Sequence, residues 1–307
     1  RQRQMCIRDR AKAGVDAVKF QKRDAGEIMI GSKINNNPIG YLSKNENDIS
    51  KEQPKYGSWS YPDLRVELSE KDFIELQKIS KNEGVDFFAS PWDEKSLNFL
   101  VQINVPVIKI PSVEIKNLNF IEKCSKQNKP LILSTGTANQ DDVDKAMNIL
   151  KKNCNEIILL QCTSSYPSKF NEIDLNVISS FKNRYKIPIG FSGHEPGINV
   201  AIAAVSMGAK VVEKHVTLNK SMNGTDHLAS IDMIELKKMV DGIKEVEKAM
   251  GGFSKVYYKS EEVLVSILGK SLVIKKDMKK GSTITEDNLT TKGPPSGIGA
   301  NKFSEVL

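Results

Sequence analysis

The chain has few cysteines and lacks any long uninterrupted apolar run. Its four cysteines, Cys6, Cys124, Cys154 and Cys162, show no C-x-x-C spacing, so we interpret them as reduced thiols of a cytosolic protein. No apolar stretch reaches the roughly 18 residues of a membrane-spanning helix, and residues 1–10 lack the apolar segment of a signal peptide. These absences argue against membrane-spanning and disulfide-stapled classes, and they predict a cytoplasmic protein.

Arginine and histidine are also scarce, with seven and three residues respectively. Four of the arginines lie within residues 1–10, whereas lysine is the usual basic residue elsewhere. We therefore interpret 1–10 as a foreign or artefactual segment and set it aside from the fold. The net charge of +7 fits either a lysine-rich solvated surface or attraction of an anionic small substrate. Because the lysines are dispersed, nucleic acid is not an expected partner.

The fold prediction rests on seven short apolar runs, each of which is followed by a helical pattern. They do not alternate with polar residues, which is typical of strands buried on both faces of a parallel sheet. Their even spacing favours an α/β fold of the (β/α)8 TIM-barrel type over residues 11–252, with an open doubly wound sheet as the alternative. An eighth strand would precede this range, so we expect a barrel lacking its first strand in this chain. The predicted strands are 15–21, 85–91, 105–112, 130–136, 156–164, 187–193 and 211–217.

Local signals predict several element boundaries. Ser69 and Asp93 are N-cap candidates, Asp141 lies in a first helical turn, and Gly251 follows the last barrel helix. Residues 22–68 interrupt the alternation of strands and helices. A loop of this length after a strand is expected to cover the substrate, with disorder as the alternative. We also predict a linker at 253–268 and a small β-rich module at 269–307.

Nearly every predicted strand ends in polar or charged residues. In a parallel barrel these ends converge on one opening, so the residues are expected to share a site. Two lysines, several hydroxyls, a carboxylate and two histidines suit a substrate with phosphate and carboxylate groups beside a metal ion. The candidates are Lys19, Gln21, Ser90, Lys109, Ser112, Glu114, Ser134, Ser164, Tyr166, Ser192, His194 and His215.

Several of these candidates have plainer interpretations. Lys19 and Lys109 could be surface lysines, and Glu114 could form an ordinary ion pair. His194 and His215 end consecutive strands and could reach one ion. Imidazole favours softer metals, but water and substrate oxygens would make manganese or magnesium suitable. His227 lies on a predicted loop, where it either contacts substrate or faces solvent.

Several segments together resemble the sialic acid synthase family, the N-acetylneuraminate synthases and their relatives. The likeness runs from about residue 13 to residue 307, and its most specific part is FSGHEPGI followed by EKHVTL. Other similar segments are VKFQK, FFASPWDE, VPVIKIPSVE, PLILSTGT, QCTSSYPS and GTDHLAS. The segment LGKSLVIKKDMKKGSTITEDNLT is similar to the antifreeze-like (SAF) module that follows the barrel in this family.

The resemblance implies an enzyme that condenses phosphoenolpyruvate with an N-acetylmannosamine-type sugar, or its 6-phosphate, and water. The products would be a sialic-acid-type nonulosonate and phosphate, and the enzyme would be a domain-swapped homodimer. A divalent metal, usually manganese with magnesium or cobalt as alternatives, is implied at His194 and His215. Lys109 and Glu114 would be catalytic. Phosphoenolpyruvate would contact Lys19, Ser90, Lys109, Ser112, Ser134 and Ser192, and the amino sugar would contact Gln21, Glu114, Tyr166 and Asp226.

The chain departs from the family pattern at three places. The opening strand motif, similar to IAEIGxNHxG, is absent, the SAF-like part is expected to be partial, and Gly293 stands where many relatives carry arginine. Two alternatives therefore stay open: another phosphoenolpyruvate-dependent sugar-acid synthase, or a non-catalytic truncated remnant. Lys22 and Arg23, just beyond the first strand, hint at a phosphorylated acceptor sugar.

Overall fold

The computed structural model describes residues 2–28, 67–222 and 226–307, which divide between two compact units, 1–250 and 251–307. All seven predicted strands are present in the first unit, and each pairs in parallel with the next in chain order. The predicted loop at 22–68 falls mostly outside the described residues. The strands are β1 Ala17–Lys22, β2 Asp86–Pro91, β3 Ile108–Ile110, β4 Leu131–Ser134, β5 Ile157–Cys162, β6 Ile189–Gly193 and β7 Val212–Lys214.

The sheet is strongly curled. Nζ of Lys19 on β1 lies 2.8 Å from Oε1 of Glu213 on β7, although five strands separate them in the sheet. In a flat sheet, six strand spacings would hold β1 and β7 about 29 Å apart, well beyond the reach of two side chains. The fold is therefore TIM-barrel-like, and the alternative of an open doubly wound sheet is wrong.

Helices alternate with the strands, and their boundaries follow the predicted caps. Ser69 caps its helix in a capping box with Asp72, Asp93 accepts from the backbone N–H of Ser96, and Asp141 lies in a first turn as expected. The helices of this unit are α1 Gln2–Ala13, α2 Ala25–Ile28, α3 Glu70–Asn82, α4 Glu94–Gln102, α5 Leu118–Ser125, α6 Gln140–Asn153, α7 Asn176–Tyr185, α8 Asn199–Ser206 and α9 Met233–Met250.

Helix α1 contains most of the segment that the sequence analysis sets aside. Ile7 is fully buried within the hydrophobic core, and Nη2 of Arg10 donates to the backbone carbonyl of Val216 over 3.1 Å. Excluding residues 1–10 from the fold is therefore wrong, because they supply core packing. The foreign origin of their sequence stays a prediction.

The outer faces of the strands pack against the helices. Around β1 and β2, the rings of Phe20, Phe73, Phe87 and Phe99 form an aromatic cluster with centroid separations of 5.4–6.3 Å. Lys22 lies on this outer side, with its ammonium 5.7 Å from the Phe73 ring centre. Because successive strand residues point to opposite faces, Lys19 and Gln21 point towards the barrel interior.

The second unit is small and contains an antiparallel pair of strands, β8 Ser271–Ile274 and β9 Leu289–Lys292. The predicted linker at 253–268 contains helix α10, Glu262–Leu268, and the unit ends with helix α11, Phe303–Val306. A Cβ on Gly293 would lie 2.8 Å from the carbonyl oxygen of Gly269. A side chain at this position would therefore require a backbone shift.

Within residues 2–28, 67–222 and 226–307, no helix is long and apolar enough to cross a membrane.

Candidate active site

The strand register brings the predicted site residues to one end of the barrel interior. Gln21 pairs in register with Ser90, Cys162 with Ser192, and Ser192 with Glu213. Since side chains alternate along a strand, residues at matched positions of neighbouring strands share a face of the sheet. The pairing of neighbouring strands therefore brings the predicted polar residues together.

A carboxylate lies at the centre of the lysine cluster. Oε1 of Glu213 is 2.8 Å from Nζ of Lys19 and 3.7 Å from Nζ of Lys109, and it accepts a 3.0 Å hydrogen bond from Oγ of Ser192. Lys109 is only 2% exposed, so the interpretation of it as a surface lysine is wrong. Two ammonium groups and one carboxylate leave an excess positive charge in a largely buried site.

Burial and charge act against each other in this cluster. Burial lowers the pKa of Lys109 to about 8, even though the nearby Glu213 raises it. Burial would raise the pKa of Glu213, but the charges of Lys109 and Lys19 lower it well below its ordinary value. Glu213 is therefore ionised at neutral pH and favours the charged form of Lys109.

The two strand-end histidines lie side by side. The ring centres of His194 and His215 are 5.3 Å apart, and the Tyr166 ring lies 4.1 Å and 5.8 Å from them. Nitrogens that bind one ion each lie about 2 Å from it, which sets ring centres roughly 5 Å apart. The spacing therefore fits two imidazoles on a single cation.

A hydrogen bond orients the His194 ring, and a carboxylate lies near the His215 ring. Nδ1 of His194 lies 2.7 Å from the carbonyl oxygen of Thr163, so Nδ1 carries the proton and donates, and Nε2 faces away from this bond. Nδ1 of His215 lies 3.8 Å from Oδ2 of Asp226, and burial lowers the pKa of His215 to about 4. A neutral imidazole is the form that binds metals.

No group of three or more histidine, cysteine, aspartate or glutamate residues suited to a metal ion occurs in the described part of the chain. Two imidazoles are fewer than the three protein ligands of typical catalytic zinc sites, so water or substrate oxygens would have to complete the shell of any ion bound here.

A thiol and a hydroxyl link the histidines to the β3 loop. Sγ of Cys162 lies 3.8 Å from Nδ1 of His194 and accepts from Oγ of Ser112 over 3.4 Å. Burial would raise the pKa of Cys162, but His194 lowers it to about 7. Gly136 donates its N–H to Oγ of Ser112, and a Cβ on Gly136 would lie only 2.0 Å from Oγ of Ser164. The absence of a side chain at Gly136 therefore lets these hydroxyls approach its backbone.

Two further hydroxyls at the strand ends have no hydrogen-bond partner within the described residues. Oγ of Ser90 and Oγ of Ser134 are both buried, in residues that are 1% and 2% exposed. A buried hydroxyl without a partner costs free energy, about 1–3 kcal/mol for a typical polar group. Hydroxyls in this state are suited to bind a polar ligand that enters the barrel.

Glu114 lies in the 3-10 turn Ser112–Glu114, which follows β3. It lines a cavity of about 470 Å³ with Trp92, Asp93 and Asn117, and the residues around that cavity include neither His194 nor His215. Burial raises the pKa of Glu114, although a 2.8 Å hydrogen bond from Nδ2 of Asn117 lowers it. Burial also raises the pKa of Tyr166, which therefore stays protonated.

The sequence analysis misses Glu213, the residue that joins the two lysines and Ser192. The available signal is strand alternation, because Glu213 lies two residues before His215 and must share its face. His227 bonds Oγ1 of Thr217 through Nδ1 at 2.7 Å.

Comparison with known proteins identifies the family of this chain. The NeuB family model matches residues 6–255. An N,N'-diacetyllegionaminic acid synthase from Campylobacter jejuni is 41% identical over 300 residues, which cover 97% of this chain and 87% of that protein. The human N-acetylneuraminate-9-phosphate synthase is 36% identical over 297 residues, covering 95% of this chain and 79% of that protein.

A solved structure agrees in fold as well. The crystal structure of an N-acetylneuraminic acid synthetase from Leptospira borgpetersenii, in complex with citrate, matches with a TM-score of 0.70 and 29% identity. The match covers 85% of this chain and 84% of that chain. With the family model matching most of the chain and curated relatives matching nearly all of it, this protein belongs to the NeuB family.

Proposed function

We propose that this chain, an enzyme by its family membership, condenses phosphoenolpyruvate with the open-chain aldehyde of an N-acetylated amino sugar. A carbon–carbon bond forms between C3 of phosphoenolpyruvate and the aldehyde carbon, water adds at C2, and inorganic phosphate leaves. The product is a nonulosonate of the sialic acid type. The observation that carries this proposal is the cluster of Lys19, Lys109 and two buried serine hydroxyls, which have no partner among the described residues, at one end of the barrel.

The lysines and hydroxyls would hold phosphoenolpyruvate. Ammonium groups in a water-poor site attract a multiply charged anion far more strongly than they do in water. Ser90 and Ser134 would donate their free hydroxyl protons to phosphate or carboxylate oxygens. Glu213 would hold both ammonium groups in place by its ion pairs while the substrate is absent. Ser112 and Ser192 would complete this set from neighbouring strand ends.

His194 and His215 would hold a divalent cation, with manganese our first choice and magnesium or cobalt as alternatives. Such an ion, when bound, acts as a Lewis acid on a carbonyl oxygen. Thr163 would fix the His194 ring by accepting from its Nδ1, and Asp226 would act similarly near His215. The bond to Thr163 leaves Nε2 of His194 available to an ion.

Glu114, Gln21, Tyr166 and Asp226 would contact the acceptor sugar. Burial raises the pKa of Glu114, a direction that favours uptake of a proton by this carboxylate. We assign it to assist proton transfer as water adds at C2. The nearby cavity of about 470 Å³ is large enough for a monosaccharide derivative.

Two cations at the end of β1 bear on the choice of acceptor. Lys22 and Arg23 both bond Glu67, with distances of 3.4 Å and 3.2 Å, and Arg23 also stacks on Trp92. One carboxylate offsets only one of these two charges, but Lys22 lies on the outer side of the barrel beside Phe73, which weakens the hint that it binds a phosphorylated sugar. We accordingly place diacetamido and N-acetyl sugars without phosphate ahead of N-acetylmannosamine 6-phosphate.

A turnover panel tests the proposed reaction. The purified chain with manganese and phosphoenolpyruvate should release phosphate with N-acetylmannosamine-type sugars, and mass spectrometry should detect the nonulosonate. Arabinose 5-phosphate and erythrose 4-phosphate should give no product. Turnover of those two sugar phosphates alone would instead identify a synthase of octulosonate or heptulosonate phosphates.

The affinity for phosphoenolpyruvate should fall with rising pH. Lys109, with a pKa of about 8, is charged below that pH and loses its proton above it. The dissociation constant should therefore rise up to about tenfold per pH unit above pH 8. The substrate does not contribute, since a phosphate monoester is fully ionised above its second pKa of about 6. Calorimetric titration from pH 7 to 9.5 measures the change.

The Lys109→Met variant is the control for this pH dependence. Removing one partner of a buried charged contact typically costs about 2–5 kcal/mol, so binding should be weaker at every pH. The steep rise above pH 8 should also disappear, because the titrating ammonium is gone. If the dissociation constant of the wild type does not change between pH 7 and 9.5, the lowered pKa of Lys109 plays no part in substrate binding.

We further propose that residues 269–307 form a SAF-like module and that the protein is a domain-swapped homodimer. The resemblance of the sequence supports both proposals. An elution volume and a light-scattering mass measured on the full chain test the dimer.

A further inference from the structure

A buried ion pair lies directly beside both candidate metal ligands. Nζ of Lys214 lies 2.8 Å from Oε1 of Glu195 and also donates to the Glu195 backbone carbonyl, and both side chains are 1% exposed. Glu195 directly follows His194, and Lys214 directly precedes His215. The pair therefore joins the two chain segments that carry the imidazoles.

The pair occupies the side of the sheet away from the histidines. Neighbouring residues of a strand point to opposite faces, so Lys214 points away from the interior that His215 faces. Lys214 pairs in register with Gly193, whose missing side chain makes room for the carboxylate. A Cβ on Gly193 would lie 2.6 Å from Oε2 of Glu195 and 2.7 Å from Cε1 of Phe191.

Stability alone does not account for this arrangement. Replacing a buried ion pair by apolar residues of similar volume is often neutral or stabilising, because both charges must be desolvated. Oε2 of Glu195 also has no partner within the described residues, which adds to the desolvation cost. A role in conformational specificity offers a reason for retaining such a pair.

The bonds of the pair constrain the backbone beside each histidine. Lys214 holds both the side chain and the carbonyl of Glu195, so the ends of β6 and β7 are tied together beyond their last paired residues, Gly193 and Lys214. The carbonyl of His194 also accepts from the N–H of Ser168 over 3.0 Å. The main chain at both imidazoles is thereby held in one arrangement.

We propose that Glu195 and Lys214 are positioning residues that hold His194 and His215 at the spacing needed to bind one divalent cation. This inference rests on the metal role assigned under the proposed function. Glu195 and Lys214 lie on the opposite face of the sheet and would not touch the ion, so their effect would be transmitted through the backbone of the adjacent histidines.

The double variant Glu195→Leu/Lys214→Met tests this proposal. It replaces the pair by apolar side chains of similar size, so the melting temperature should equal or exceed that of the wild type. Manganese affinity of the metal-stripped full chain, measured by electron paramagnetic resonance titration, should fall about 10- to 100-fold, as for loss of other supporting contacts. A merely structural pair would leave the affinity unchanged at unchanged stability.

Two further variants serve as an independent test and as a control. Gly193→Ala retains both charges but displaces the Glu195 carboxylate. It should therefore lower the manganese affinity, as the double variant does. Lys237→Gln/Asp241→Asn removes an exposed pair on α9 and should change neither affinity nor melting temperature.

The outcomes separate the positioning role from the metal role. If the double variant is folded and binds manganese like the wild type, the positioning role is overturned and the metal site stands. If the double variant does not fold, wild-type affinity in Gly193→Ala overturns the positioning role. If the wild type itself binds no divalent cation, the metal assignment fails first, and the positioning role fails with it.

Discussion

Replacing His194 by alanine is expected to remove divalent-metal binding and turnover together. His194 presents one of only two imidazoles at the site, and no cluster of three potential ligands exists in the described residues to compensate. Manganese affinity should fall by more than the 10- to 100-fold that is typical of supporting residues. Phosphate release with any acceptor should then drop to background, whatever the manganese concentration.

The measurement pairs a manganese titration of the metal-stripped protein with a phosphate-release assay. His227→Asn is the matched control, because His227 is the third histidine and its Nδ1 bonds Thr217 instead of facing the other two. That variant should keep the manganese affinity of the wild type. Wild-type affinity in His194→Ala would exclude this residue as a ligand and would remove the metal from the proposed site.

Replacing Glu114 by glutamine is expected to preserve phosphoenolpyruvate binding and to abolish most turnover. Glutamine keeps the size of the side chain and still accepts from Nδ2 of Asn117, but it cannot exchange a proton near neutral pH. Positioned acid–base groups contribute about 10²- to 10⁴-fold to rate, so kcat should fall within that range. The dissociation constant of phosphoenolpyruvate should stay within about twofold, because the lysine cluster is untouched.

Steady-state kinetics and calorimetry separate these two effects. Glu122→Gln is a suitable control: Glu122 lies on α5 nearby, is exposed, and pairs with Lys126 at 2.6 Å. Its kcat should match that of the wild type. Unchanged turnover in Glu114→Gln would remove this residue from the mechanism and would direct attention to Glu213, the carboxylate of the lysine cluster.

Much of the secondary structure could be predicted because its causes are local. The Ser69 and Asp93 caps arise from contacts within three residues, and the buried strands are recognisable as short apolar runs. Strand boundaries are less well predicted: the run 105–112 contains only the short strand Ile108–Ile110. Ladder pairing, which depends on neighbouring strands, sets those ends.

The sequence predicts which residues belong to the candidate site better than it predicts their contacts with one another. The convergence of Lys19, Lys109, Ser192 and the two histidines follows from counting strand ends in a parallel barrel. That Glu213 bonds both lysines follows only once the sheet curls and brings β7 beside β1. The contacts of Glu114 with Asn117, and the cavity that it lines with Trp92 and Asp93, likewise follow only from the folded chain.

The order of amino acids alone establishes the βα alternation, the polar strand ends and the family resemblance, because these depend on residue type and spacing along the chain. Only the folded chain decides which charges meet, which hydroxyls lose their partners, and how far burial lowers the pKa of Lys109. The folded chain also decides that Glu195 pairs with Lys214. Desolvation and long-range pairing are properties of three-dimensional proximity, and curvature and register create that proximity.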